Sequence, residues 1–280
     1  MVGIDARNLS LGAVAFARWL ATGSDNPIYG VHVVEWVPHI PDQEREIRPE
    51  DVQRMAADTL RVVADDPNFT EVGAVPSIAA EDGLIEAVKS KQAHALVLGR
   101  RAPSSGGGLV RLGRVARRML RRLPVPVVVV PPDLDANQLG SGPVILAVDM
   151  TESCGAAAAF AARVATAMGR DLVLVHAIHA PDRGPYLPAD AWDERIAQLD
   201  AHGEEQFRQW SDRHAIGAAE RVIVHGPPSQ RLPHIAAERD ACLLVTGSRQ
   251  LSSVERMFLS SMGSELAAIA SVPVAVVPAR

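Results

Sequence analysis

Aromatic residues are scarce in this chain of 280 residues: 4 Trp, 2 Tyr and 5 Phe, or 4%. An interior drawn from a sequence that is 48% hydrophobic must then rest on Ala, Val, Leu and Ile. Such residues suit tightly stacked helices and buried parallel strands, which favours an α/β fold over a β-sandwich. Cysteine is scarcer still, with Cys154 and Cys242 alone. They show no CxxC spacing and no disulfide framework, fit a reducing cytosol, and read as packing residues. Long apolar runs are missing too. The stretch "LGAVAFARWLA" is broken by Arg18, "VPVVVV" and "VPVAVV" are of strand length, and "MVGIDARN" carries an acid where a basic leader would stand. These absences point to a cytoplasmic protein with no membrane segment.

Acidic residues are absent from 100 to 122, which holds eight arginines, so all 33 acids face the other 20 basic residues elsewhere. The net charge of −5 therefore conceals a local basic stretch in an acidic chain. Bulk nucleic-acid binding usually needs a basic domain, and no nucleic-acid partner is expected.

What is present is a repeat. "VGID" ending at Asp5 matches "LAVD" ending at Asp149, and "VHVV" from Val31 matches "VHAI" from Val175, both at an offset of 144. "LVLGRR" from Leu96 matches "LVTGSR" from Leu244 at 148, and "VPVVVVPP" from Val125 matches "VPVAVVPA" from Val272 at 147. Four segments in one order at nearly constant offset make two copies of one unit. Between them lies "PPDLDANQLGSGP", a linker by composition, giving domains over 1–134 and 141–280.

Each copy alternates short apolar runs with amphipathic helical patterns. Strands are expected near 2–5, 28–34, 70–75, 95–99 and 126–130, then 143–149, 171–178, 219–224, 241–246 and 273–277. Helices are expected between them. Such alternation implies parallel sheets with right-handed crossovers and helices on both faces. Ligands in such sheets bind beyond the carboxyl ends of the strands, where strand order reverses. Asp5 and Asp149 close strand one, while Gly99 and Gly247 close strand four. If strands one and four are neighbours, each pair faces one crevice. A turn or helix-capping role would also explain an aspartate there, but its recurrence in both copies favours a shared function. The helix after each glycine offers free N–H groups and a partial positive charge, suited to a phosphate.

Here the chain resembles a tandem universal stress protein, over nearly its whole length. That resemblance implies two tandem five-stranded parallel-sheet domains of strand order 3-2-1-4-5 with helices on both faces, adenine-nucleotide alpha-hydrolase-like. Nucleotide-binding members carry, after strand four, Gly, two residues, Gly, nine residues, Gly, then Ser or Thr. In "GSRQLSSVERMFLSS" the spacing is kept by Gly247, Gln250, Ser260 and Ser261, with two of the three glycines replaced. In "GRRAPSSGGGLVRLGR" Gly99 and Ala102 are followed by one extra residue before Gly113, and Arg114 takes the hydroxyl position. The roles implied are an aspartate near adenine and ribose (Asp5, Asp149), a backbone contact to adenine (Val33, Ala177), and a loop around ribose and phosphates (Gly99 and Gly113; Gly247, Gln250, Ser260 and Ser261).

The resemblance thus implies ATP or a related adenine nucleotide as ligand, more readily in the second copy, with Mg accompanying ATP. Arg114 could either touch a phosphate or fill the first pocket and pair with Asp5. Arg111, Arg114, Arg118 and Arg121 share a helical face, with Arg117 and Arg122 nearby, and such a face is ordinarily solvated or paired with acids. No Walker lysine loop, Gly-x-Gly-x-x-Gly after a first strand, or Gly-x-Ser-x-Gly elbow occurs. His32 and His176 hold equivalent positions and read as packing residues, while His176 and His179 are ill spaced to share a metal on a strand. No catalytic or metal residue is assigned. The resemblance further implies an intramolecular pseudo-dimer through the fifth strands, open to further homodimerisation, which would cover edges that otherwise aggregate. Two functions stay open: a regulatory nucleotide binder in which hydrolysis is slow and incidental, and a nucleotide-free stress or scaffold module acting on an unknown protein partner.

Overall fold

Runs of Val, Leu and Ile too short for helices become the strands, and the Ala-rich stretches between them become helices that lie close on the sheet. A computed structural model describes residues 1–5, 11–24, 26–35, 48–100, 112–132, 134, 139–178, 188–248 and 262–279. Met1–Leu139 with Ala267–Ile269 makes one compact unit, and Gly140–Leu266 with Ala270–Arg280 the other.

The first unit contains β1 (Val2–Gly3), α1 (Leu11–Thr22), β2 (Ile28–Glu35), α2 (Pro49–Ala64), β3 (Phe69–Ser77), α3 (Ala80–Ser90), β4 (Leu96–Gly99), α4 (Arg114–Arg122) and β5 (Val127–Val130). Its strands run in the order β3-β2-β1-β4-β5, and the β2–β3, β1–β2, β1–β4 and β4–β5 pairings are all parallel. β1 is shorter than its apolar pattern suggests, yet Ile4 continues the ladder through its N–H to the Val31 carbonyl at 2.9 Å. Every side chain of β5 is buried, as expected of a strand covered on both faces.

The second unit contains β6 (Val144–Ala147), a 3₁₀ turn (Glu152–Cys154), α5 (Gly155–Met168), β7 (Leu172–Ile178), α6 (Ala189–Arg213), β8 (Glu220–His225), α7 (Pro228–Glu238), β9 (Leu243–Ser248), the larger part of α8 (Met262–Ile269) and β10 (Val274–Pro278). Its order is β10-β9-β6-β7-β8, so the first strand again lies between the second and the fourth, all parallel. α5 buries Ala157, Ala158, Phe160, Ala161, Val164 and Ala165, a stripe of mostly small residues that lets the helix approach closely. It stops at Gly169, whose φ of +58° closes the last turn in the left-handed region that glycine adopts without strain.

Strand order therefore reverses direction between β1 and β4 in one unit and between β6 and β9 in the other. Both switch points open at the carboxyl ends of the strands.

Candidate functional site

In the second unit the ladders run to the carboxyl ends of β6, β7 and β9. Ala147 of β6 pairs with Val175 of β7 and with Thr246 of β9. Asp149 and Ala177 each follow two residues after the Ala147–Val175 pairing, and Gly247 one residue after Thr246, at the same end of the sheet. Gly247 has no positive φ, and a Cβ built on it would meet the Cys154 Cα at 3.5 Å and the Ala157 Cβ and Ser153 carbonyl at 3.7 Å, ordinary contact distances. Packing does not require glycine here. A methyl group there would rest in ordinary contact with the start of α5.

Asp149 introduces a built turn. Its Oδ1 accepts from the Thr151 N–H at 3.0 Å and from the Thr151 hydroxyl at 2.6 Å, and that hydroxyl lies 2.7 Å from Ser153 Oγ. Met150 between them has φ +58°, a left-handed conformation that costs a side-chain-bearing residue about 1–2 kcal/mol. Asp149 is thus a turn-forming residue as well as a crevice residue. Beneath it, the buried Cys154 thiol is pushed up to about 12, first by burial and then by the charge of Asp149. A thiol so held is a packing group, not a nucleophile.

The turn is also held from below. His176 Nδ1 is 2.8 Å from the Val148 carbonyl, and His32 Nδ1 is 2.8 Å from the Ile4 carbonyl in the first unit. A carbonyl can only accept, so each ring carries its proton on Nδ1. The equivalent histidines are packing residues that also anchor backbone, since each fixes the carbonyl preceding the strand-one aspartate.

In the first unit Val2 and Gly3 pair with β2 and β4, Gly3 meeting both Val31 and Leu98, so that Asp5 and Val33 each follow two residues after a paired position, at the carboxyl end of the sheet. Gly113 is the N-cap of α4. Arg114, expected either to contact a phosphate or to pair with Asp5, donates from Nη2 to Glu35 Oε1 at 2.7 Å. Glu35 closes β2, and the same oxygen accepts the Ala80 N–H at 3.2 Å at the start of α3. Arg118 pairs with Glu81 and Arg122 with Asp82. Three arginines spaced four apart thus bind α4 to the first turn of α3 and the end of β2; of the face expected from Arg111, Arg114, Arg118 and Arg121, Arg114 and Arg118 carry acid partners. Arg117 and Arg121 are exposed.

Gln250, Ser260 and Ser261 of the second loop, Ala102 of the first, Arg111 and His179 lie outside the described residues. Among the described residues no group of three or more His, Cys, Asp or Glu could hold a metal ion, and no helix is long and apolar enough to cross a membrane. A cavity of about 560 Å³ opens between α6 and β8, lined by Asp200, Glu205, Arg208, Arg221 and His225 among others. Within it His225 Nε2 lies 2.7 Å from Asp200 Oδ1, and Arg208 pairs with Glu205 at 2.7 Å. It sits at the edge strand, away from the switch point.

The sequence patterns do not name Glu35, Glu81, Asp82, Thr151 or Trp210 as partners of these crevices. The arginine spacing hints at acidic partners without identifying them. Nothing local in the sequence ties Trp210 to a turn 59 residues away.

Comparison with known proteins places these features in a family. The model of the universal stress protein family matches residues 1–131 and again 141–278. A universal stress protein of Mycolicibacterium smegmatis is 29% identical over 290 aligned positions, covering 100% of this chain and 97% of its own length. The Mycobacterium tuberculosis universal stress protein Rv2623 is 28% identical, covering 99% and 95%. Among solved structures, a universal stress protein from Archaeoglobus fulgidus superposes with a TM-score of 0.67 at 20% identity, covering 100% of this chain and 98% of that one. A functionally unknown protein, PA1789 of Pseudomonas aeruginosa, superposes at 0.70 with 14% identity, covering 99% and 92%.

Proposed function

The chain belongs to the universal stress protein family, and on that premise we propose that it is a regulatory protein whose second unit binds ATP or a related adenine nucleotide. The observation that carries this reading is the crevice at the β6/β9 switch point. There Asp149 and Ala177 each lie two residues beyond the paired Ala147 and Val175, and Gly247 omits a side chain that packing would tolerate. The adenine and ribose would lie against Asp149 and the Ala177 backbone, with the phosphates toward Ser260, Ser261 and the start of α8. Hydroxyls and backbone N–H groups ahead of a helix suit an anion. Mg would accompany ATP through the phosphates. On this reading any hydrolysis would be slow and incidental.

In the first unit the Arg114–Glu35 pair ties the start of α4 to the end of β2, flanking the crevice that Asp5, Val33, Gly99 and Gly113 would form. This favours the first unit as a structural partner rather than a second nucleotide carrier. The other reading, a nucleotide-free scaffold, is supported by exposed Arg117 and Arg121, and predicts partner capture sensitive to charge reversal at Arg117.

Calorimetric titration with ATP, alongside native mass spectrometry of freshly purified protein, tests the proposal. One nucleotide per chain, lost in Asp149→Ala and Ser261→Ala, is the expected result. No heat and no nucleotide mass would overturn it.

A further inference from the structure

α6 and the residue that follows it face the turn that presents Asp149 with a row of side chains. Phe207, Trp210 and His214 recur at three- and four-residue intervals, so they share one helical face. The Phe207 ring centroid lies 6.0 Å from that of His176, the residue bonded to the Val148 carbonyl. Trp210 donates its indole N–H to the Thr151 carbonyl at 3.2 Å. Arg213 Nη1 reaches Glu152 Oε1 at 3.0 Å. The His214 ring lies with its centroid 4.5 Å from that of Trp210, and its Cε1 would come within 2.6 Å of a Cβ on Gly155. Reading along the helix, each contact falls further along the segment from Val148 to Gly155.

We propose that Trp210 is the positioning residue of the second crevice, its indole N–H fixing the Thr151 carbonyl and thereby the turn through which Thr151 holds Asp149. Two observations separate this from ordinary core packing. Trp210 is fully buried, and a buried indole N–H needs an acceptor; the acceptor it has belongs to the turn itself rather than to α6 or the sheet. The turn also contains Met150 at φ +58°, a conformation that persists only where its surroundings impose it. Trp210 on one side and the Asp149 carboxylate on the other supply that constraint through the same residue, Thr151. The carboxylate is then aimed by a chain of bonds that begins on α6. As an account of ligand affinity the inference rests on the nucleotide reading, but the coupling between Trp210 and Asp149 does not.

The test uses the full chain with its four tryptophans labelled with ¹⁵N in the indole ring. Trp210→Phe identifies the Trp210 signal by its disappearance. Asp149→Ala and, separately, Thr151→Ala are expected to shift that signal while leaving Trp19, in the first unit, unmoved. In the ATP titration, Trp210→Phe is expected to weaken binding about five- to tenfold, the scale of one net hydrogen bond, at temperatures where the variant is fully folded. Trp210→His, which can restore a ring N–H donor, is expected to recover part of that loss. A Trp210 signal unmoved by Asp149→Ala overturns the proposal, whether or not Trp210→Phe folds. Full affinity in folded Trp210→Phe overturns it as well. If the wild-type protein binds no ATP, the nucleotide reading fails, and the indole response to Asp149→Ala alone decides the coupling.

Discussion

His176 donates its Nδ1 proton to the carbonyl of Val148, the residue before Asp149, at 2.8 Å, and His32 repeats the bond to Ile4, the residue before Asp5. Duplication has kept a bond that neither strand ladder needs. In each unit it anchors the end of the first strand where the crevice begins. His176→Phe keeps a ring against Phe207 but removes the donor. The expected cost is about 1–3 kcal/mol, that of a buried carbonyl losing its partner. Chemical denaturation measures it, and a smaller effect for His176→Gln, which keeps an N–H donor, would tie the loss to the hydrogen bond.

Arg118→Ala is expected to destabilise the first unit more than any other arginine change in α4. Its partner Glu81 is 4% exposed, and Glu81 Oε2 already lacks a hydrogen bond. Removing the guanidinium leaves a buried carboxylate with its charge uncompensated. Breaking a buried pair costs about 3–5 kcal/mol, and the half-exposed arginine brings the expected loss toward about 2 kcal/mol. Arg122→Ala, whose pair with Asp82 is exposed on both sides, should cost far less, because solvent screens the pair. The double variant Arg118→Ala, Glu81→Gln should recover much of the loss in a denaturation series.

Arg114→Ser tests what the first crevice lacks. The substitution replaces the guanidinium with the small hydroxyl expected of nucleotide-binding family members and dissolves the 2.7 Å pair with Glu35. Both partners are largely exposed, so stability should change by less than about 1 kcal/mol. Native mass spectrometry with ATP is expected to move from one nucleotide per chain toward two. An unchanged count would mean that Arg114 does not control access.

Burial of the two thiols sets an alkaline limit on stability. Cys154 is pushed up to about 12 by burial first, and Cys242 to about 11 by burial against a lowering influence of Arg170. In the unfolded chain both would ionise near 9.0. Between those values the unfolded state releases protons that the folded state keeps, so stability is complete below about pH 9 and falls as pH rises through 11 to 12. The slope from Cys154 reaches at most about 1.4 kcal/mol per pH unit. Melting curves from about pH 8 to about pH 10.5 should show this limb, reduced in Cys154→Ala. Near neutral pH, a thiol reagent should find neither cysteine in the folded protein and both after denaturation.

How much of this is legible in the sequence depends on the range of the interaction. The strands and helices follow from local pattern, and "VPVVVV" reads as a buried strand. The strand-one aspartates and strand-four glycines are legible because the repeat displays them twice. The partners of α4 and of the Asp149 turn are not, because Arg114 meets Glu35 across 79 positions and Trp210 meets Thr151 across 59. Such pairs are created by crossover topology, and no spacing rule carries them. Arg114 shows the limit well: its helix position suggests an anion or Asp5 as partner, whereas the fold brings it the acid that closes β2.

Glycine positions separate the scaffold from the site. A Cβ on Gly142 would collide with the Arg239 carbonyl oxygen and come within 2.7 Å of that of Asp240, both main-chain atoms that cannot swing aside. The Gly142 N–H also bonds the Asp240 carbonyl at 2.9 Å. Gly142→Ala must therefore displace backbone, and overpacking of this kind costs about 1–3 kcal/mol or more. Gly247→Ala meets nothing closer than 3.5 Å and should leave the unfolding midpoint nearly unchanged. If Gly247 is bare so that a ligand can approach the chain, the same methyl group should weaken ATP binding about tenfold or more, because it occupies the space through which the ligand reaches the backbone. A stability loss in Gly142→Ala beside an affinity loss in Gly247→Ala is the expected double result. Wild-type ATP affinity in Gly247→Ala would mean that the crevice at the β6/β9 switch point does not hold the nucleotide.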